Sequence, residues 1–280
     1  MSPAAQGPEA REKAKAGGSV LTALFREAGR PLLMPYATGG FPDPEACRRI
    51  VRTYLEAGAD IVELGIPFSD PIADGPVIQA SSTRALQQGV RPATVLDIAA
   101  EATARGGRVV LLSYLNTILA PTPERFFERC ATSGVLGVVV PDLPVEEAAP
   151  VQETARRQGV DVVLLAAPTS TDVRLERIAR AASGFLYCVS ATGVTGVRSE
   201  LGTDLPVFLE RLRARTDLPL AVGFGISTPA QAAEVARLAD GVIIGSRLVR
   251  MVQEARDLDA ALEEITAYLG EVRTALRGAP

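Results

Sequence analysis

Glu63 and Asp74 are the residues of this 280-residue chain whose types and spacing best suit acid–base chemistry. They lie in the stretch Ile61-Val-Glu-Leu-Gly-Ile-Pro-Phe-Ser-Asp-Pro-Ile-Ala-Asp-Gly-Pro76, with Glu63 near the end of an apolar, strand-like run. Asp70 and Asp74 follow in a loop that carries Pro67, Pro71 and Pro76. Strands disfavour Glu, and a buried carboxylate is costly unless it is paired or used. Proline restricts the backbone, so the loop holds its side chains still at little further entropic cost. Such a stretch can fix carboxylates rigidly around a small reacting group and move a proton there.

The chain has no histidine. That excludes a Ser-His-Asp triad, a Cys-His pair and His-ligated zinc. Acid–base work then falls mainly to Asp, Glu, Tyr or Lys. Cys47, Cys130 and Cys188 are odd in number and widely spaced, with no C-x-x-C pair. They read as buried structural thiols of a reducing, cytoplasmic compartment, and no metal set is expected. A net charge of −4 and a pI near 5.2 argue against a general nucleic-acid surface, which calls for a basic balance.

A second chemistry is suggested by three glycine-bearing turns, Gly193-Val-Thr-Gly196, Gly223-Phe-Gly225-Ile-Ser227 and Gly245-Ser246. Glycine lets backbone amides come close to an anion, and a helix N-terminus beyond the turn adds donors and a favourable dipole. Each turn alone could simply end a buried strand. Three at one mouth favour a phosphate site, with Ser246-Arg-Leu-Val-Arg-Met251 supplying the short extra helix.

Eight short runs rich in Val, Ile and Leu must position these groups, near 31–37, 60–65, 108–114, 137–142, 162–167, 185–190, 220–225 and 241–246. Continuous apolar runs alternating with helical patterns mean strands buried on both faces, hence a parallel sheet. Eight such units without a linker predict an α/β fold, a closed (β/α)8 TIM barrel, as a single domain over 19–280. The two longest connections follow Gly65 and Ser190, at the mouth where such barrels build active sites. Helices are predicted over 46–55 behind Asp43-Pro44-Glu45, from Thr122-Pro123-Glu124 to about Thr132, and over 230–238 behind Ser227-Thr228-Pro229. A helix over 19–28 should cover the barrel bottom, and a terminal helical segment should span 255–276. Residues 1–18 lack the apolar stretch of a secretory signal and read as a mobile tail. No apolar run reaches the roughly 20 residues needed to span a bilayer.

The opening stretch resembles the signature of the tryptophan synthase alpha subunit family almost letter for letter. Further segments are similar in family order: Pro35-Tyr-Ala-Thr-Gly-Gly-Phe-Pro42, Ser113-Tyr-Leu-Asn116, Pro141-Asp-Leu-Pro-Val-Glu-Glu147, Ala167-Pro168, Ser190-Ala-Thr-Gly-Val-Thr-Gly196, Gly223-Phe-Gly-Ile-Ser227 and Gly245-Ser246. The resemblance implies reversible retro-aldol cleavage of indole-3-glycerol phosphate to indole and glyceraldehyde 3-phosphate, as a carbon–carbon lyase of tryptophan biosynthesis. It implies no cofactor on this chain and a pyridoxal-phosphate beta subunit as partner in an alpha-beta-beta-alpha heterotetramer.

Residue by residue, Glu63 matches the family's acid–base group and Asp74 the carboxylate beside the indole nitrogen. Gly196, Gly225, Gly245 and Ser246 match its phosphate contacts, and Thr195 a loop that closes onto Asp74. Tyr36, Leu112, Val139 and Phe224 match the indole slot, with Tyr187 near the glycerol. Asp70, Asn116 and Pro144 match positions facing the partner. Tyr36 stands where some relatives carry Phe, and its hydroxyl needs a partner; Ala191 replaces a bulkier basic residue of some members. Without the resemblance, Glu63 is better read as a structural ion pair at the barrel mouth and Asp74 as a turn-forming Asp-Gly, since structural networks also hold acids. Three rival functions stay open: a standalone indole-releasing lyase, a non-catalytic barrel that activates a partner, and another phosphosugar isomerase or epimerase.

Overall fold

The structure is a computed structural model, and it describes residues 19–189, 204–223 and 225–278. Among them nine parallel strands form one sheet. They are β1 Leu32–Thr38, β2 Val62–Gly65, β3 Val109–Leu112, β4 Gly137–Val139, β5 Asp161–Val163, β6 Leu165–Ala166, β7 Leu186–Val189, β8 Leu220–Gly223 and β9 Gly241–Ile244. Their order is β5-β4-β3-β2-β1-β9-β8-β7-β6. The two end strands are consecutive pieces of one run, parted only at Leu164. Val138 and Val139 pair with Val162 and Val163 on one side, and Leu165 pairs with Tyr187 on the other. The chain itself therefore closes the barrel, and the eight expected runs appear with the fifth divided in two.

The strands are buried on both faces, as a parallel sheet wrapped in helices must be. Helix starts follow the predicted caps. Asp43 accepts the amide of Ala46 at 2.8 Å, and the helix Pro44–Glu56 begins with proline at its first position. Thr228 and Gln231 form a reciprocal capping box at the head of Pro229–Ala236. Thr122 accepts the Arg125 amide ahead of Pro123–Thr132.

The helix Val20–Ala28 closes the barrel bottom. Its cap, Ser19, donates to Asp161 Oδ2 at 2.5 Å, and Thr22 donates to the Gly184 carbonyl at 2.7 Å. Phe25 lies against Phe185, ring centres 5.3 Å apart. The terminal segment differs from expectation. Ala255 ends one helix, Ser246–Glu254, and a second runs from Leu258 to Arg277 behind the cap Asp257. No described helix is long and apolar enough to cross a membrane.

Candidate active site

Glu63 is the second of the four residues of β2 and lies two residues before the strand ends at Gly65, as the sequence run 60–65 predicts. Its ladder partners are Tyr36 on β1 and Val110 on β3. The carboxyl is only 1% exposed, and neither oxygen has a hydrogen-bond partner among the described residues. Burial, and then the charge of Asp74, push its pKa up to about 8. No ion pair holds it among the described residues.

Asp74 lies in the connection between β2 and the helix Pro76–Gln87, and it too is buried. Its loop is a set of tight turns: the Asp74 amide donates to the Pro71 carbonyl, and Gln79 Nε2 donates to the Asp74 carbonyl at 2.9 Å. Burial raises its pKa to about 6, while a hydrogen bond from Tyr114 opposes the rise. The two acids thus differ in protonation near pH 7, Glu63 protonated and Asp74 ionised. Such a division separates an acid from a fixed anion at one site.

Tyr36 and Tyr187 complete the buried cluster. Burial holds both phenols well above their ordinary pKa, and the charges of Glu63 and Asp74 act on each. β2 and β7 are far apart around the ring. The charge of Glu63 nevertheless acts on the Tyr187 phenol. Glycine makes room for the phenols: a Cβ at Gly65 would collide with the Tyr36 hydroxyl, and one at Gly223 with that of Tyr187. The Tyr36 hydroxyl finds its partner in Thr38 Oγ1 at 3.3 Å, and Thr38 in turn pairs with Ser81 at 2.7 Å. Leu112 and Val139 are ladder partners, side by side at the ends of β3 and β4.

Of the residues expected at the phosphate, Gly225 has a left-handed φ of 81°, a conformation suited to glycine. Gly245 stands beside Tyr36 and forms the N-cap of Ser246–Glu254, the expected short helix. Gly245 has no side chain to cap that helix, and a helix N-terminus is a favourable place for an anion. Thr195, Gly196, Phe224 and Ala191 lie outside the described residues. Asp70 and Asn116 are exposed and Pro144 half-buried. An outer cleft of about 320 Å3, lined by Val145, Glu146, Arg177, Arg180 and Ala181, shares no residue with the cluster.

One functional neighbour is not evident from the sequence. Tyr114 follows β3, and its hydroxyl donates to Asp74 Oδ2 and accepts the amide of Ala73, both at 3.1 Å. It appears in the segment Ser113-Tyr-Leu-Asn116, but an aromatic at a strand end reads as core.

With this geometry in place, likeness to known proteins is decisive. Residues 22–277 match the family model described as tryptophan synthase alpha chain. The chain belongs to the tryptophan synthase alpha chain family. It is 47% identical over 249 residues to the tryptophan synthase alpha chain of Gloeobacter violaceus, covering 88% of this chain and 90% of the relative. The corresponding protein of Dehalococcoides mccartyi is 44% identical over 248 residues, covering 88% and 96%. Among solved structures, a chain of Mycobacterium tuberculosis tryptophan synthase superposes with a TM-score of 0.86 at 36% identity, covering 93% of this chain and 99% of that one. A chain of the Pyrococcus furiosus tryptophan synthase a2b2 complex gives 0.81 at 36% identity, covering 88% and 98%. As an alpha chain of this family, the protein is an enzyme of tryptophan biosynthesis, a lyase on a TIM barrel.

Proposed function

We propose that this chain cleaves indole-3-glycerol phosphate reversibly into indole and glyceraldehyde 3-phosphate, with Glu63 as acid–base catalyst and Asp74 as fixed anion. The observation that carries the reading is a pair of buried carboxyls, Glu63 with no hydrogen-bond partner among the described residues and Asp74 held by Tyr114, with burial raising Glu63 further than Asp74. Protonated Glu63 gives its proton to indole C3, and the ring becomes an indolenine cation whose positive charge is shared by nitrogen. Ionised Asp74 beside the ring N–H stabilises that charge. The Glu63 carboxylate then takes the proton from the hydroxyl on the carbon joined to C3. That hydroxyl becomes the aldehyde as the C–C bond breaks, and its electrons return to the ring. Glu63 ends protonated, ready for the next cycle. No step needs a cofactor on this chain.

Gly225, Gly245 and Ser246, with Gly196, are assigned to the phosphate, because backbone amides and a helix N-terminus bind such an anion without a cationic side chain. Tyr36, Leu112, Val139 and Phe224 are assigned to the indole, and Tyr187 to the glycerol. Thr195 is assigned to closure over Asp74.

The partner is proposed to be a pyridoxal-phosphate beta subunit, in an alpha-beta-beta-alpha assembly within the cytoplasm. Asp70, Asn116 and Pro144 lie on the connections after β2, β3 and β4, Asn116 within the short helix Leu115–Leu119. Those connections are joined by the Tyr114 bonds and by the Leu115 amide donating to Asp142 Oδ1 at 2.8 Å. Ile72 and Leu119, on the first two of these, are 69% and 49% exposed, apolar surface that a partner would cover. The test is indole release from indole-3-glycerol phosphate by the purified chain, alone and with a beta subunit. Release alone that rises with the partner supports the reading. Full activity indifferent to any beta subunit favours a standalone lyase, and no release in either case overturns the reaction.

A further inference from the structure

Tyr114 is almost fully buried, yet its hydroxyl is committed on both sides to the loop that carries Asp74. It accepts from the Ala73 amide, which fixes where its oxygen sits and turns its proton toward Asp74. Its ring stacks on Phe68 of the same loop, centroids 4.8 Å apart and planes 15° from parallel. The phenol is thus gripped at its face and its tip. Asp74 Oδ2 receives the bond, while no described residue bonds Oδ1. One oxygen is held, and among the described residues nothing holds the other.

We propose that Tyr114 is the positioning residue for Asp74, holding Oδ2 so that Oδ1 is presented, ionised, to the indole nitrogen. The role rests on the reaction proposed above. A purely structural tyrosine would fill the same space through its ring alone. What distinguishes the two is the hydroxyl, because donation to a carboxylate favours its charged form. Removing the donor leaves Asp74 buried beside Glu63 with less to keep it ionised.

The experiment compares wild type, Tyr114→Phe and a protein carrying 3-fluorotyrosine at position 114, whose hydroxyl is a stronger donor. Two quantities are followed: the Asp74 carboxyl titration by 13C NMR, assigned against Asp74→Asn, and indole release across pH. In Tyr114→Phe the titration and the acidic limb of activity should both move to higher pH. Turnover at pH 7 should fall roughly ten-fold or more with KM little changed, as for losing a hydrogen bond to a charged group. The fluorinated protein should move the titration the other way. An unmoved titration in either protein, whatever the activity does, overturns the role, and the fluorinated protein decides the matter alone if Tyr114→Phe does not fold. Absence of indole release by wild type would instead count against the reaction, since the NMR titration reads the Tyr114–Asp74 bond without turnover.

Discussion

Tyr36 and Glu63 are ladder partners on β1 and β2, so the buried acid and the phenol share one face of the sheet, with Asp74 acting electrostatically on both. The Tyr36 hydroxyl is turned toward Thr38 rather than bonded to Glu63. The Glu63 carboxyl is consequently without a fixed partner among the described residues, which suits a group that must move a proton between two atoms of a substrate.

The pH dependence of kcat/KM should follow from the two carboxyls. Activity needs Asp74 ionised and Glu63 protonated. Activity should therefore rise as pH passes about 6 and fall as it passes about 8. The two limbs belong to the coupled pair. A profile flat from pH 5 to pH 9 would contradict the assignment of protonation states.

Stability should carry the mark of Glu63 as well. Folding raises its pKa from 4.5 to about 8, so the folded chain keeps a proton that the unfolded chain releases. The resulting stabilisation is complete below the unfolded value and is lost as pH rises to the folded one. Every tenfold difference in proton affinity between the two states corresponds to about 1.4 kcal/mol. Urea denaturation of wild type and Glu63→Gln should show wild type losing several kcal/mol relative to the variant between pH 5 and pH 9. Parallel stability curves would mean that the carboxyl is not buried as described.

Inorganic phosphate and glycerol phosphate should compete with substrate at the turns after β7, β8 and β9. The amide resonances of Gly225, Gly245 and Ser246 should shift on titration, and that of Gly196 with them. The uncapped helix at Ser246 and the left-handed Gly225 motivate the expectation. Shifts confined to the outer cleft at Arg177 and Arg180 would move the anion elsewhere.

Most of the barrel is legible in the sequence because each strand is a continuous apolar run, and the caps Asp43, Thr122 and Thr228 mark helix starts by their chemistry. The division of the fifth run at Leu164 is not. Val162-Val-Leu-Leu-Ala166 is uniformly apolar, and the break arises only where its two neighbours pull the ladder to opposite sides. The terminal helix begins three residues later than its composition suggests, because Ala255 and Arg256 are good helix formers. In the fold Ala255 is extended, and Asp257 supplies the cap. At the site, the carboxylates announce themselves as residues a strand or a rigid loop does not otherwise want. Tyr114 does not, because its hydroxyl contacts depend on two loops distant in sequence meeting at the mouth.

Whether Glu63 moves the proton is read from the turnover of indole-3-glycerol phosphate by Glu63→Gln, measured beside its affinity for a non-reacting analogue. The amide keeps the shape and the neutral state that Glu63 has at pH 7 but cannot give or take the proton. The variant is expected to fold, to keep nearly unchanged ligand affinity and to turn over more slowly by a factor on the order of 10² or more. Near-normal turnover in the folded variant would contradict that role for Glu63.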